Sequence, residues 1–161
     1  MLLKVWIKKP RMKVRRAEIA DIDRLEVIAS KSYKKMEFQG AYDSDYFKKT
    51  LKAQIESDDY IILKCVDNNV IVGGLFAMII PEMYSPTTNL IYQFAMQADP
   101  ELNKVKQGRI ILSLIYKLEY IAFMLEVNEI AFSVDKKYDL SKYYDRNGYT
   151  LTEKKYSRRL R

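Results

Sequence analysis

Apolar positions alternate with polar ones over short stretches of this chain and recur every three or four residues over longer ones, and these two periods divide it into elements. Met12 to Glu18 (MKVRRAE) reads as a strand. Ala20 to Lys35 carries Ile22, Leu25, Ile28 and Ala29 at helical spacing, with Asp21 and Asp23 near the positive N-terminal end. Asp45 to Ser57 repeats the helical pattern with Tyr46, Phe47, Leu51 and Ile55, behind Asp43 or Ser44 as a cap. Tyr60 to Val66 and Val70 to Ile80 flank Asp67, Asn68 and Asn69, residues that tolerate the left-handed backbone of a tight turn, so they predict a hairpin. Gly73 and Gly74 in its outgoing strand predict a bulge or a close backbone approach.

Beyond a loop at Pro81 to Thr88, the run NLIYQFAMQA (Asn89 to Ala98) predicts a mostly buried strand, and Arg109 to Glu126 a long helix. Asn128 to Val134 reads as a strand, Asp139 to Asn147 as a short helix, and Tyr149 onward as a final strand or short hairpin. Met1 to Lys9 alternates as a short strand before Pro10, so residues 1–11 are an extra edge strand or a basic arm ahead of one domain at 12–161. The order of elements predicts an α/β fold around one central sheet.

The stretch between the fourth main strand and the long helix, DPELNKVKQ followed by Gly108, carries the first chemical signal. A helix start leaves backbone N–H groups unpaired and adds the positive end of the helix dipole, so it can hold a phosphate. Lys104, Lys106 and Arg109 crowd the same residues and strengthen the attraction. The stretch is equally consistent with an ordinary helix start behind a solvated basic loop.

Composition excludes more than it includes. The 161 residues suffice for one domain with a real core, and nine glycines and prolines together argue against disorder. There is no histidine, which rules out Ser-His-Asp and Cys-His catalysis and any histidine base or metal ligand. Cys65 is the only cysteine, so neither an internal disulfide nor a multi-thiolate metal site can form, and its apolar surroundings predict a buried inert thiol. No metal is expected. The net charge of +7 is uneven: residues 1–16 hold seven basic groups and no acid, residues 154–161 hold five more, and the rest carries sixteen basic against twenty-one acidic groups. The first residues have too short an apolar core for a secretory signal and no run approaches a membrane span, which with the single cysteine predicts a cytoplasmic protein that does not enter a membrane.

Four segments in order, VRRAEIADIDRL, VIVGGLFAMI, the strand-to-glycine stretch around Gly108 and YYDRNGY, resemble the GNAT superfamily of acyl-CoA-dependent N-acetyltransferases, in its compact bacterial and phage form. In the last segment Tyr144, Gly148 and Tyr149 match the family's tyrosine, three variable residues, glycine and aromatic. The resemblance covers Met12 to Leu160. It implies a single domain with a mixed, mostly antiparallel sheet of six to seven strands flanked by about four helices, the fourth and fifth strands splayed.

It also implies acetyl-CoA or CoA as the acyl-donor substrate. The pantetheine arm would lie on Phe94, Ala95, Met96 and Gln97, and the pyrophosphate on Lys106, Gln107, Gly108, Arg109 and Ile110. Val105 and Ile110 stand where the family's phosphate loop usually has Gln or Arg and then Gly or Ala. Tyr144 would protonate the departing thiolate, and Gln93 would order a water that relays a proton, because the fourth strand offers no carboxylate before Asp99. Glu37, Glu82 and Asp99 are more distant bases.

The implied reaction moves an acetyl group to a primary amine, a small molecule or a protein lysine or N-terminus, by direct attack in a ternary complex. Phe38, Tyr42, Met83 and Tyr84 would line the acceptor mouth, with Glu37, Asp43 and Glu82 attracting a cation. A homodimer is compatible with this reading. The alternative is a catalytically silent module of the same fold acting through a protein or nucleic-acid partner. The basic termini leave nucleic acid open without any recognition motif to support it.

Overall fold

The computed structural model describes residues 12–35, 40–82, 85, 87–133 and 140–152. The elements run β1 (Lys13–Arg16), a 3-10 turn (Ile19–Asp21), α1 (Ile22–Lys35), α2 (Ser44–Ile55), β2 (Tyr60–Asp67), β3 (Val70–Pro81), β4 (Asn89–Ala98), α3 (Lys104–Met124), β5 (Glu129–Phe132) and α4 (Ser141–Arg146). The five strands form one sheet in the order β1-β2-β3-β4-β5, antiparallel except for the parallel pair β4–β5. That parallel pair follows from α3, which carries the chain back across the sheet between the two strands.

Period-two alternation decides which face each strand side chain covers. Ile61, Leu63 and Cys65 of β2 and Leu75 and Ala77 of β3 pack with Ile110, Ile111, Leu114, Ile115 and Leu118 of α3. Ile62 and Phe76 point the other way, onto Leu25 of α1 and Leu51 of α2. The hairpin turns on Asn68 and Asn69, both left-handed with φ of 48° and 64°, as their side-chain chemistry predicts. The tandem glycines admit helices on both faces. A Cβ on Gly73 would sit 2.5 Å from Ile110 Cγ2 and 2.7 Å from the Gln97 carbonyl oxygen, and one on Gly74 would sit 2.9 Å from Leu25 Cδ2.

The sheet has five strands among the described residues, where six to seven were expected. Tyr149 to Thr152 form no strand, and the remaining candidates, Met1 to Lys9 and the end of the chain, lie outside the described residues. The larger correction concerns α3, which begins at Lys104 and not near Gly108. Asn103 caps it, its side chain accepting the Lys106 N–H at 2.9 Å. The intervening Lys-Val-Lys-Gln run is compatible with a helix, and Gly108 is tolerated within it, a Cβ there having nothing within 4 Å.

Candidate active site where β4 and β5 part

Among the described residues, four residue pairs join β4 to β5: Leu90↔Glu129, Ile91↔Ile130, Tyr92↔Ala131 and Gln93↔Phe132. From Phe94 to Ala98, β4 has β3 on one side and no strand on the other among the described residues. A bulge coincides with the parting. Phe76 faces Ala95 and Ala77 faces Gln93, so Phe94 is the extra residue, and both Phe94 and Ala95 turn toward the α1–α2 side of the sheet. Gln93 is 2% exposed, and its side-chain oxygen accepts the Ser133 backbone N–H at 3.1 Å, closing the junction where β5 ends. Phe94, Ala95, Met96 and Gln97, named above for the pantetheine arm, therefore present a half-unpaired, partly exposed strand.

Tyr144 stands at the same junction. Its ring lies 5.4 Å from that of Phe132, 5.6 Å from Tyr143 and 5.1 Å from Tyr149. Gly148, with φ of 78°, supplies the left-handed turn after α4, and the Tyr149 N–H returns to the Tyr144 carbonyl at 3.0 Å. The residue is 7% exposed, and its hydroxyl is shielded from solvent with no hydrogen-bond partner among the described residues. Burial, reinforced by the Glu119 carboxylate, pushes this phenol up to about 12, so it keeps its proton at neutral pH. Glu119, from α3, accepts from Tyr149 at 2.5 Å and from Tyr143 at 3.5 Å, which fastens the segment carrying Tyr144 to the long helix.

The residues expected around the pyrophosphate are distributed differently from that expectation. Gly108, Arg109 and Ile110 lie inside α3, beyond its first turn. Ile110 is fully buried against Gly73, and Gln107 turns inward, its side-chain nitrogen donating to the Leu102 carbonyl. Lys106 forms an ion pair with Asp67 at 2.7 Å, while Arg109 is exposed. Among the described residues, the helix N–H groups without a partner are those of Lys104 and Val105, since Asn103 takes both of the next two.

Comparison with solved structures places this arrangement. A GNAT family acetyltransferase from Staphylococcus aureus superposes with a TM-score of 0.68 at 19% identity over 92% of this chain and 98% of that one. The fold is the GNAT acetyltransferase fold. A predicted acetyltransferase with acetyl-CoA from Clostridium acetobutylicum gives a TM-score of 0.70 at 16% identity, over 92% of this chain and 96% of that one. An aminoglycoside acetyltransferase from an uncultured soil metagenomic sample, in complex with sisomicin, gives 0.65 at 20% identity, over 93% and 95%. No protein-family model matches the chain, and no curated protein does.

Within the GNAT fold the carboxylates considered as bases separate clearly. Asp99 is 5% exposed and committed to Arg24 at 2.8 Å, with Arg24 Nε also donating to the Ile71 carbonyl. Glu82 is exposed on the loop after β3, and Glu37 lies outside the described residues. A carboxylate that sequence reasoning passed over is Glu26 of α1, 9% exposed. Its signal was its spacing: four residues after Ile22 and three before Ala29, it occupies a place in the apolar stripe. No group of three or more His, Cys, Asp or Glu that could hold a metal occurs among the described residues, and none of their helices is long and apolar enough to cross a membrane.

Proposed function

We propose that this protein transfers an acetyl group from acetyl-CoA to a primary amine by direct attack in a ternary complex. The observation that carries the reading is the buried, unpartnered hydroxyl of Tyr144 beside Phe132, the last residue of β5 to pair with β4. A protonated donor is what a departing thiolate requires, and burial keeps this phenol protonated.

The residues present fit acetyl-CoA at one end better than at the other. The unpaired side of Phe94 to Gln97 can accept the hydrogen-bonding pattern of an extended pantetheine arm, as an added strand would. The pyrophosphate is assigned to the first turn of α3, where Lys104 and Val105 keep free N–H groups and the Lys104 side chain is exposed, and not to a loop at Gly108. Acetyl-CoA supplies the thioester carbonyl and the thiolate leaving group. The chain's own residues do the rest: β4 aligns the thioester beside the junction, Gln93 holds the two strands at the point of parting, and Tyr144 delivers its phenolic proton to sulfur. The amine proton leaves through solvent or through a water ordered at Gln93. No covalent enzyme intermediate is needed, which suits a chain without histidine and with its single thiol buried.

Isothermal titration of acetyl-CoA, followed by turnover with a panel of amines and lysine peptides, tests the proposal. Micromolar saturable binding and acetylated product are expected. The second reading, a silent module of the same fold acting through a partner, is favoured by the capped α3 terminus and the Lys106–Asp67 pair, and absence of acetyl-CoA binding would select it.

A further inference from the structure

The long helix α3 is apolar on both sides. Ile111, Leu114, Ile115 and Leu118 cover the sheet and are buried. On the side turned away from it, where a surface helix normally carries polar residues, Tyr116 is 55% exposed, Tyr120 56%, Phe123 79% and Met124 61%. With Arg109 and Ser113 ahead of them, the outward positions fall at 109, 113, 116, 120 and 123, alternately four and three residues apart. That alternation is the seam by which one helix receives another. Nothing in the acetyl-transfer chemistry calls for it.

The seam complements itself when a second copy lies antiparallel to the first. Its spacing then sets Ser113 opposite Phe123 of the other copy and Tyr116 opposite its Tyr120, small against large and ring against ring. The Ser113 hydroxyl donates to the Arg109 carbonyl at 2.8 Å, so it brings no unpaired polar group into the contact. The same register carries Arg109, exposed near the start of the helix, to Glu126, exposed just past its end. Neither makes an ion pair among the described residues, so each charge is available to the other copy. Glu119 and Glu126 border the stripe, which suits a protein surface better than an anionic membrane. The exposed apolar side chains present on the order of 600 Å² per copy, so a symmetric pair would bury about 1,200 Å², the lower bound of a specific interface.

We propose that the outward face of α3 docks a second copy of this chain, the two helices packing antiparallel about a two-fold axis with Tyr116, Tyr120 and Phe123 between them and Arg109 of each copy against Glu126 of the other. The interface is independent of the acetyl-transfer reading, since it lies on the side of α3 away from the sheet. Lys117, over the Tyr120 ring at 4.9 Å, stands at its rim.

The test is sedimentation equilibrium on the full chain and its variants, with circular dichroism to check that each variant folds. Wild type is expected to dimerise with a Kd of about 10 μM or lower, and Phe123→Glu, at an exposed position, to weaken dimerisation about 100-fold or more. Charge reversal tests the register. Arg109→Glu and Glu126→Arg should each weaken the dimer about tenfold, and the double variant should recover most of that loss. The two residues are about 25 Å apart along one helix, so recovery can come only from another molecule. A wild type that stays monomeric at about 100 μM overturns the proposal, as does a dimer that folded Phe123→Glu leaves intact. A double variant no tighter than either single one overturns the antiparallel register.

Discussion

The side-chain oxygen of Gln93 accepts the backbone N–H of Ser133 at 3.1 Å, so the strand pairing that ends at Phe132 is extended by one bond from a side chain. A buried amide in this role fixes where the pairing of the two strands ends. Gln93→Leu leaves the Ser133 N–H without an acceptor and should cost about 1–2 kcal/mol of stability, read from chemical denaturation. It should also raise the KM for acetyl-CoA more than it lowers kcat. An equal fall in kcat at unchanged KM would instead give Gln93 a direct part in proton transfer.

Tyr144→Phe should lower kcat by about 100-fold and leave acetyl-CoA affinity nearly unchanged, measured by steady-state turnover and titration. The pH profile carries the sign. A proton donor is active below its pKa, and the Tyr144 phenol is pushed up to about 12, so if it is the donor, loss of activity by its ionisation should not set in near neutral pH. Glu119→Gln removes the neighbouring negative charge and should move the alkaline limb to lower pH. An alkaline limb indifferent to Glu119 would refute the coupling.

The same phenol affects stability. A folded-state value raised from 10.0 to about 12 favours the folded chain below pH 10 and loses that contribution as pH climbs through about 12. Tyr144→Phe should therefore flatten the decline of stability in that window, by an amount on the order of 2 kcal/mol. Denaturation midpoints of both proteins across alkaline pH provide the comparison.

Gly108→Ala separates a helix from a phosphate cradle. Nothing lies within 4 Å of the added Cβ, and the position is inside α3, so alanine should stabilise the protein by about 0.5–1 kcal/mol. Acetyl-CoA affinity should be unchanged if the pyrophosphate is held at Lys104 and Val105. A destabilised protein would show that the glycine adopts a conformation alanine cannot, and a large loss of affinity would return the anion site to Gly108.

Asp21 and Lys64 form a half-hidden pair at 2.6 Å, with side chains 13% and 14% exposed, joining the turn before α1 to β2. Asp21→Asn removes the charge opposite Lys64 and leaves a single amide oxygen for both the lysine and the Glu18 N–H, and should cost about 3 kcal/mol, measured by thermal unfolding. A change below about 0.5 kcal/mol would mean that solvent replaces the partner fully.

Local pattern foretold those parts of the fold whose cause is local. Asn89–Ala98 has the bounds its apolar run predicts, and the hairpin turns on its asparagines because their left-handed tolerance is a property of the residue itself. The start of α3 was misplaced because Gly108 was given the weight of a boundary, while Asn103, an equally readable cap, was not. The length of the β4–β5 pairing is a tertiary quantity, set by where α3 returns the chain, and no residue within either strand announces it. The spacing from Tyr144 to Gly148 foretold the left-handed turn after α4, but not the shielded Tyr144 hydroxyl, since that depends on Phe132, Tyr143 and Tyr149 closing around it. Glu26 went unread because a single charge in an apolar stripe gives no indication of whether it is buried or turned to water.

The unpaired half of β4 also bears on self-association. A strand with one bare edge invites a strand from another molecule, and Phe94 to Ala98 would be the place for it. The extra residue at Phe94 breaks the even repeat that an incoming strand needs for continuous pairing, so the bulge disfavours a neighbouring copy along the same stretch.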